Sequence, residues 1–310
     1  MSRGFFLRRL LEAIPTIVLT WAVVWVVMQL IPGDPVALVL GGTPASEEVL
    51  QNERIRLGLH LPLHEQFLNY LFKAATGDMG ISFRTRQKVS QMLGEMLPWS
   101  LELAAGGLLV GVGLGVPMGV LAGLKPNGWT DAGAMTLALV GVSLPSFWIG
   151  QMLIQVFGTW LGWVPIIGDG LSSLILPSIT LGLFMAGGLA RLVRASVVEV
   201  MAQDYIRTAR AKGLPPRLLV PVHVLRNAMI PPVTLLGVQF ALLIGGAVIT
   251  ERVFARPGLG ALLVESVLNK DTPVVQALIA YTTTIYIALN LLVDLAYGVI
   301  DPRVRQGSGE

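Results

Sequence analysis

The chain has 310 residues, of which 54% are hydrophobic and 13% charged, and it carries a net charge of +3 with no cysteine. Charged residues make up roughly a quarter of an average soluble domain, so the composition points to an all-α polytopic membrane protein and excludes disulfides, thiolate metal sites and thiol nucleophiles. Basic residues scattered over several loops give a nucleic-acid partner little support. Three His with no cluster at ligand spacing give a built-in metal site none.

The N-terminus opens with Arg3, Arg8 and Arg9 before an apolar run from 13 to 32. A secretory signal core is shorter, roughly 7–15 residues, and no small-residue cleavage site follows this run. Residues 1–32 therefore read as a cytoplasmic N-terminus and an uncleaved first transmembrane helix. From 33 to 98 the composition turns mixed, charged and rich in Gly and Pro. Helical periodicity at 47–57 and 64–75 predicts a small folded extracytoplasmic lobe, with Phe67, Tyr70, Leu71 and Phe72 as its local core rather than a ligand box.

Five more apolar runs follow, at 103–124, 132–155, 174–190 (extended to 198), 230–250 and 274–300, each near the roughly 20 residues a spanning helix needs. That makes six spans, with a transmembrane domain over 99–300. Between the third and fourth, FGTWLGWVPIIGDGLSS has Trp160 and Trp163 as interfacial anchors. Lys125, the cluster from Arg191 to Arg226, and Arg303 and Arg305 fall on the side of the N-terminus. On the other side Arg252, Arg256 and Lys270 are offset by Glu251, Glu265 and Asp271. The rule that basic loops stay inside places both termini, the loop 199–230 and the tail 301–310 in the cytoplasm.

That loop is the longest basic segment. Asp204 is expected to cap a short helix over Tyr205–Lys212, Gly213 to turn left-handed at its end, and Pro215 and Pro216 to stop it. A second segment, broken by Pro221, runs through His223 and Arg226 back to the membrane at Ile230. Arg207, Arg210, Lys212, Arg217 and Arg226 make the loop electropositive. Charge alone leaves two readings open, a loop that only fixes topology and a helix offered to a cytoplasmic partner.

No Lys follows a Gly anywhere, so the phosphate-binding loop G-x-x-x-x-G-K-[ST] is absent. The spans also lack the chains of acids and His of a proton-driven carrier. Glu12 and Glu102 sit near predicted helix ends, and Arg191 and Arg194 near the cytoplasmic end of the fourth helix, where long side chains reach water. Asp294 lies inside the last span, bonding a neighbouring helix or meeting substrate. Ser143, Ser146, Gln151 and Gln239, with Glu251, are candidates for a translocation path or gate, and helix–helix bonding competes for each. Gly106, Gly107, Gly111, Gly113, Gly115 and Gly119, with Gly182, Gly187 and Gly188, permit close helix packing, and Pro117, Pro145 and Pro177 add bends. Uphill transport by this chain would need energy from another one. An ATP-independent channel or secondary transporter is the alternative class, and an embedded enzyme lacks any nucleophile–base pair or metal cluster.

The basic segment YIRTARAKG resembles the coupling loop of ABC-importer permeases, known for a Glu-Ala-Ala…Gly pattern. Arg207, Thr208 and Ala209 occupy the first three places and Gly213 the last, with Arg207 where many relatives carry Glu. LRRLLEAIP, PGDP at 32–35, LGLHLPLHEQF, GDMGISF, SLPSFWIG, ILPSITLG, LRNAMIP, GGAVITERVFARPGLGALL and NLLVDLAYGVIDPRVR carry the likeness through the chain in order. The branch they resemble is that of dipeptide and oligopeptide permeases, with nickel and glutathione relatives. The resemblance implies the type I importer fold, a bacterial inner-membrane location and a heterodimer with a second homologous permease. It also implies two cytoplasmic ATPase subunits, which bind the ATP and Mg that this chain does not, and an extracytoplasmic solute-binding protein delivering peptide. Coupling falls to Tyr205, Arg207, Thr208, Ala209, Arg210, Ala211, Lys212 and Gly213, and a re-entrant turn at the outer mouth to 251–263.

Overall fold

The computed structural model describes residues 3–30, 36, 39–40, 46–168 and 170–300, with the side chains of 3–10, 234, 246 and 293–300 outside that description. The expectations about Arg3, Arg8 and Arg9, the PGDP block, the side chain of Asp294, and Arg303 and Arg305 in the tail therefore lie outside the described residues. Every long element described is a helix: α1 Arg3–Leu30, α2 Glu47–Arg56, α3 Leu63–Thr76, α4 Val89–Leu124, α5 Trp129–Ser143, α6 Ser146–Leu153, α7 Leu171–Met201, α8 Asp204–Ala211, α9 Ile230–Val253, α10 Leu259–Leu268 and α11 Thr272–Ile300. Among the described residues four stretches are long and apolar enough to cross a membrane, Leu11–Leu30, Val89–Leu124, Leu171–Met201 and Thr272–Leu292. Two bent pairs, Trp129–Ser143 with Ser146–Trp160 and Pro216–Ala228 with Ile230–Gly245, bring the number to six if each is one span.

The third predicted span is thus not a single rod: its halves meet at 101°. Leu144 precedes Pro145, and the proline ring disfavours α geometry in the residue before it; Leu144 is extended, with φ −80° and ψ 134°. The second span also differs from expectation. Its helix begins at Val89 rather than 103 and runs through Pro98, so Glu102 lies well inside a helix.

The chain divides into two units, Met1–Trp99 with Pro257–Glu310, and Ser100–Arg256; α4 passes from one into the other. In the first unit α1 packs along α11, and Trp21 Nε1–H donates to the Ala280 carbonyl at 3.4 Å. Ser46 accepts from the Val49 N–H to start α2, with Glu47 and Glu48 in its first turn and Arg54 and Arg56 in its last, complementing the helix dipole. Neither α2 nor α3 has a buried residue. These two helices therefore enclose no interior between them: Phe67 packs tilted against Trp25 of α1 at 5.4 Å between ring centroids, and Phe72 is 72% exposed. Two short helices cannot enclose an interior, so they borrow the flank of a span. The unit's core instead joins Val89 and Leu93 to Leu259, Val274, Ala277 and Leu278. A buried tie closes it, the Ser82 hydroxyl and the Phe83 N–H both donating to the Asp271 carboxylate, at 2.5 and 3.0 Å.

In the second unit α7 is the central helix, packed by α5, α6 and α9. Its approach to α4 runs along glycines four residues apart. A Cβ on Gly107 would meet Leu181, on Gly111 Met185, on Gly115 the Ala186 carbonyl, on Gly119 the Ala190 carbonyl and on Gly123 Val197. Gly182 answers from α7, facing Val110 and the Gly107 carbonyl. Spacing of four puts one residue per turn on one face, and the missing side chains bring the two backbones together. Gly113 and Gly188, expected in the same role, face open space.

Candidate functional site

The basic loop folds as two consecutive helical pieces. The first, α8, begins one residue earlier than expected. Gln203 holds the N-cap position and makes no side-chain cap bond, while Asp204 is the first helical residue. A carboxylate there still meets the positive end of the helix dipole, and it reaches Arg207 at 3.5 Å across an exposed turn. At the other end Gly213 has φ +80°. Its N–H donates to the Arg210 carbonyl at 2.9 Å, and the Leu214 N–H to Ala209 at 3.2 Å. These two bonds form the Schellman termination, which needs a left-handed residue at that place and so favours glycine.

One side of α8 is anchored and the rest is displayed. Ile206 is fully buried, and α8 packs against the turn at Leu219–Leu225, whose Leu219 and Val224 are buried as well. Tyr205, Arg207, Thr208, Arg210, Ala211, Lys212 and Gly213 are exposed and Ala209 half-buried. Asn227 Nδ2 donates to the Tyr205 hydroxyl at 3.0 Å. The result is a short cationic helix held from behind.

The second piece, from Pro216 to Ala228, is helical throughout rather than broken at Pro221. Leu219–Leu225 is wound as a π-helix. Pro221 has no N–H, and in an α-turn its ring would strike the carbonyl four residues back. The wider i to i+5 winding carries the chain past it. Pro216, expected only as a stop, opens this piece at its first position, where a missing N–H costs nothing.

Among the described residues the path and gate candidates differ in exposure. Ser143 and Gln151 are exposed, Ser146 and Gln239 half-buried. Glu251 is fully buried and accepts from the Ser100 hydroxyl at 2.6 Å; nearby in sequence, Arg256 donates to Glu102 at 2.8 Å. Within 251–263 the chain leaves α9 at Phe254, passes Ala255 at φ 47°, and re-enters a helix at Leu259. Arg194, expected to reach water, instead grips Asp131 with two guanidinium nitrogens, Nη2 to Oδ2 at 2.6 Å. The second oxygen also takes the Asn127 N–H, which closes the turn before α5. Nothing in the sequence singled out Asp131 except its being a carboxylate between Lys125 and the Arg191–Arg226 cluster. Trp160 and Trp163 are both exposed, with Trp163 against Phe157 at 5.7 Å between ring centroids.

Comparison with known proteins matches residues 115–306 to the family described as binding-protein-dependent transport system inner membrane component, and residues 1–104 to its N-terminal companion. A protein of Brucella melitensis described as a peptide transport system permease is 41% identical, over 98% of this chain and 99% of its own. The glutathione transport system permease protein GsiC of Escherichia coli K12 is 42% identical over 97% and 99%. Among solved structures, the MetNI methionine ABC transporter aligns with a TM-score of 0.58 at 17% identity, over 68% of this chain and 97% of that one. An amino acid ABC transporter aligns with a TM-score of 0.51 at 15% identity, over 66% and 92%. At such identity these two establish the fold of an ABC-importer permease and nothing finer.

Proposed function

The chain belongs to the family of binding-protein-dependent transport system inner membrane components, and from that premise we propose that it forms half of the translocation path for peptides in an ATP-driven importer. The other half is a second, homologous permease chain; two cytoplasmic ATPase subunits supply the energy, and an extracytoplasmic binding protein brings the substrate. Both termini and α8 face the cytoplasm. Relatives that carry peptides and glutathione, itself a peptide, favour that class of cargo.

The observation that carries this reading is the build of α8. Its exposed cations suit a docking cleft lined with acids, Arg and Lys reaching such groups from flexible stems. Ile206 behind and the glycine-terminated end make it rigid, and only Ala202 and Gln203 separate it from α7. A push on α8 is therefore delivered to the helix on which the second unit is assembled. ATP-driven closure of the ATPases would rock the permease bundles between outward and inward openings, a rigid-body change of the kind transporters use. Ser143, Ser146, Gln151, Gln239, Glu251 and Asp294 remain the residues assigned to the path and its gate.

Co-purification from native membranes, followed by ATPase and uptake assays in lipid discs, tests the proposal. A second permease chain and ATPase subunits should accompany this one, and dipeptide or glutathione with binding protein should stimulate hydrolysis where nickel does not. Arg210→Glu with Lys212→Glu should abolish the stimulation while the melting temperature holds. A chain that purifies alone and moves solute without ATP sinks the proposal in favour of a channel or secondary transporter.

A further inference from the structure

Two adjoining cavities of the first unit have no part in the reading above. The larger, about 720 Å³, is walled by Met28, Leu57, Leu59, Phe83 and Val275 among others, and four cations line it: Arg56, Lys73, Arg86 and Lys270. Asp78 is the one carboxylate among its described lining residues, and its Oδ1 already accepts the Gly80 N–H at 3.2 Å. Arg56 keeps Glu53 beside it at 3.0 Å, and Arg86 donates to the Val39 carbonyl. Neither Lys73 nor Lys270 has an ion-pair partner among the described residues. The smaller cavity, about 610 Å³, shares residues with the first, Arg56, Lys73, Asp78 and Pro273 among them, and continues between α1 and α11, past Trp21, Trp25, Ala277, Ala280, Tyr281 and Thr284.

The position of this pair matters as much as its charge. Met28 and Gln29 close the span Leu11–Leu30, and Pro273 and Gln276 open the span Thr272–Leu292. The cationic cavity thus sits where both helices cross the membrane surface, and the aromatic one descends between them into the hydrocarbon. Beside it, α3 exposes Leu68 and Phe72 one turn apart, at 61% and 72%. Apolar side chains presented next to Lys73 suit a helix resting in the interface. Arg86 and Lys270 also hold positive φ, 61° and 54°. Residues that are not glycine keep such angles at a cost that is concentrated at functional sites.

We infer that the paired cavities hold one anionic phospholipid, its phosphate among Arg56, Lys73, Arg86 and Lys270 and an acyl chain in the aromatic groove between α1 and α11. Arg and Lys hold phosphate oxygens through charge-assisted hydrogen bonds, and a chain lying against Trp21 and Trp25 would seal the groove lined by the small residues Ala277 and Ala280. Occupied in this way, the lipid would brace the lobe helix α3 against α1.

The test uses the full chain, delipidated in mild detergent and titrated with phosphatidylglycerol or phosphatidylcholine under native mass spectrometry. One phosphatidylglycerol should be retained in preference to phosphatidylcholine. Arg56→Glu with Lys73→Glu, both exposed helix positions, should weaken its binding by roughly tenfold or more. Lys125→Glu with Arg217→Glu, the same change of charge elsewhere, should not. Equal binding of the two lipids, or parental affinity in the Arg56/Lys73 variant, overturns the inference. So does displacement of the lipid by millimolar inorganic phosphate or dialanine, which would make this a site for small free anions. Should that variant fail to fold, quenching by phosphatidylglycerol with brominated chains serves instead: a quenched fraction lost in Trp21→Phe/Trp25→Phe supports the site, and quenching unchanged in that variant refutes it.

Discussion

Gly119→Ala probes the seam on which the second unit is built. A Cβ at Gly119 would stand 2.5 Å from the Ala190 carbonyl oxygen and 2.6 Å from Val193 Cβ. Carbon atoms in favourable contact lie about 3.5–4.0 Å apart, so α4 and α7 must separate by about 1 Å. The obstructing atoms are backbone and a β-branched side chain, and neither can swing aside. Overpacking of this kind costs about 1–3 kcal/mol, against which alanine recovers about 0.5–1 kcal/mol of the penalty for glycine in a helix. A net loss of about 1–2 kcal/mol is expected. Gly113→Ala is the internal control: the same helix and the same substitution, with nothing within 4 Å, so stability should be unchanged or slightly raised. Thermal unfolding of the two purified variants in one detergent reads the difference, at roughly 2–4 °C per kcal/mol for a unit of this size. Equal melting temperatures would refute the seam as a close-packed interface.

Gly213→Val should strain the left-handed end of α8 by about 1–2 kcal/mol and cut substrate-stimulated ATPase activity. Gly213→Asn, which tolerates that angle, should retain more activity, and equal losses would mean that the site needs glycine for space rather than for φ. Asp131→Ala should lower the melting temperature by stranding Arg194, and adding Arg194→Met should restore part of the loss; strict additivity of the two changes would show that the pair is not coupled. Ser82→Ala should cost about 1.5–3 kcal/mol, since a hydroxyl bonded to a buried carboxylate is lost, with loosening of the segment around Phe83 visible by hydrogen exchange. Burial pushes the Tyr70 phenol up to about 12. Its neutral form is thus favoured in the fold, and the stability present below about pH 10 should fall as pH rises from 10 toward 12. Tyr70→Phe should remove that alkaline step and leave neutral-pH stability intact, because the buried hydroxyl has no hydrogen-bond partner among the described residues.

Much was legible in the sequence because its signals are local. A stretch of some twenty apolar residues can only cross the bilayer as a helix, so the spans announced themselves, and the ends of α9 and α11 fall within a few residues of expectation. The turn at Gly213 was equally readable, since positive φ, two flanking prolines and a cationic helix all act within ten residues. Motif order along the chain then identified the family, which neither periodicity nor charge could do.

What the chain could not announce is whatever depends on a distant partner or on the choice between two ways past a proline. Pro145 and Pro221 carry the same chemical restriction, yet one produces a 101° break and the other a π-helical turn, because the outcome rests on whether surrounding helices hold both flanks in line. Arg194 and Asp131 are 63 positions apart, and Ser82 and Asp271 are 189 apart; only folding makes them neighbours. The aromatic residues of the lobe looked like a core since aromatic residues usually are buried, but two short helices have no interior between them, so Phe67 lies on α1 and Phe72 stays exposed. Sequence by itself determined that this is a helical membrane permease with a cationic helix between its spans. Tertiary structure decided which glycines face a neighbour, which charges are tied, and where cations and an apolar groove converge beside α1 and α11, because each of these is set by helices meeting rather than by any helix alone.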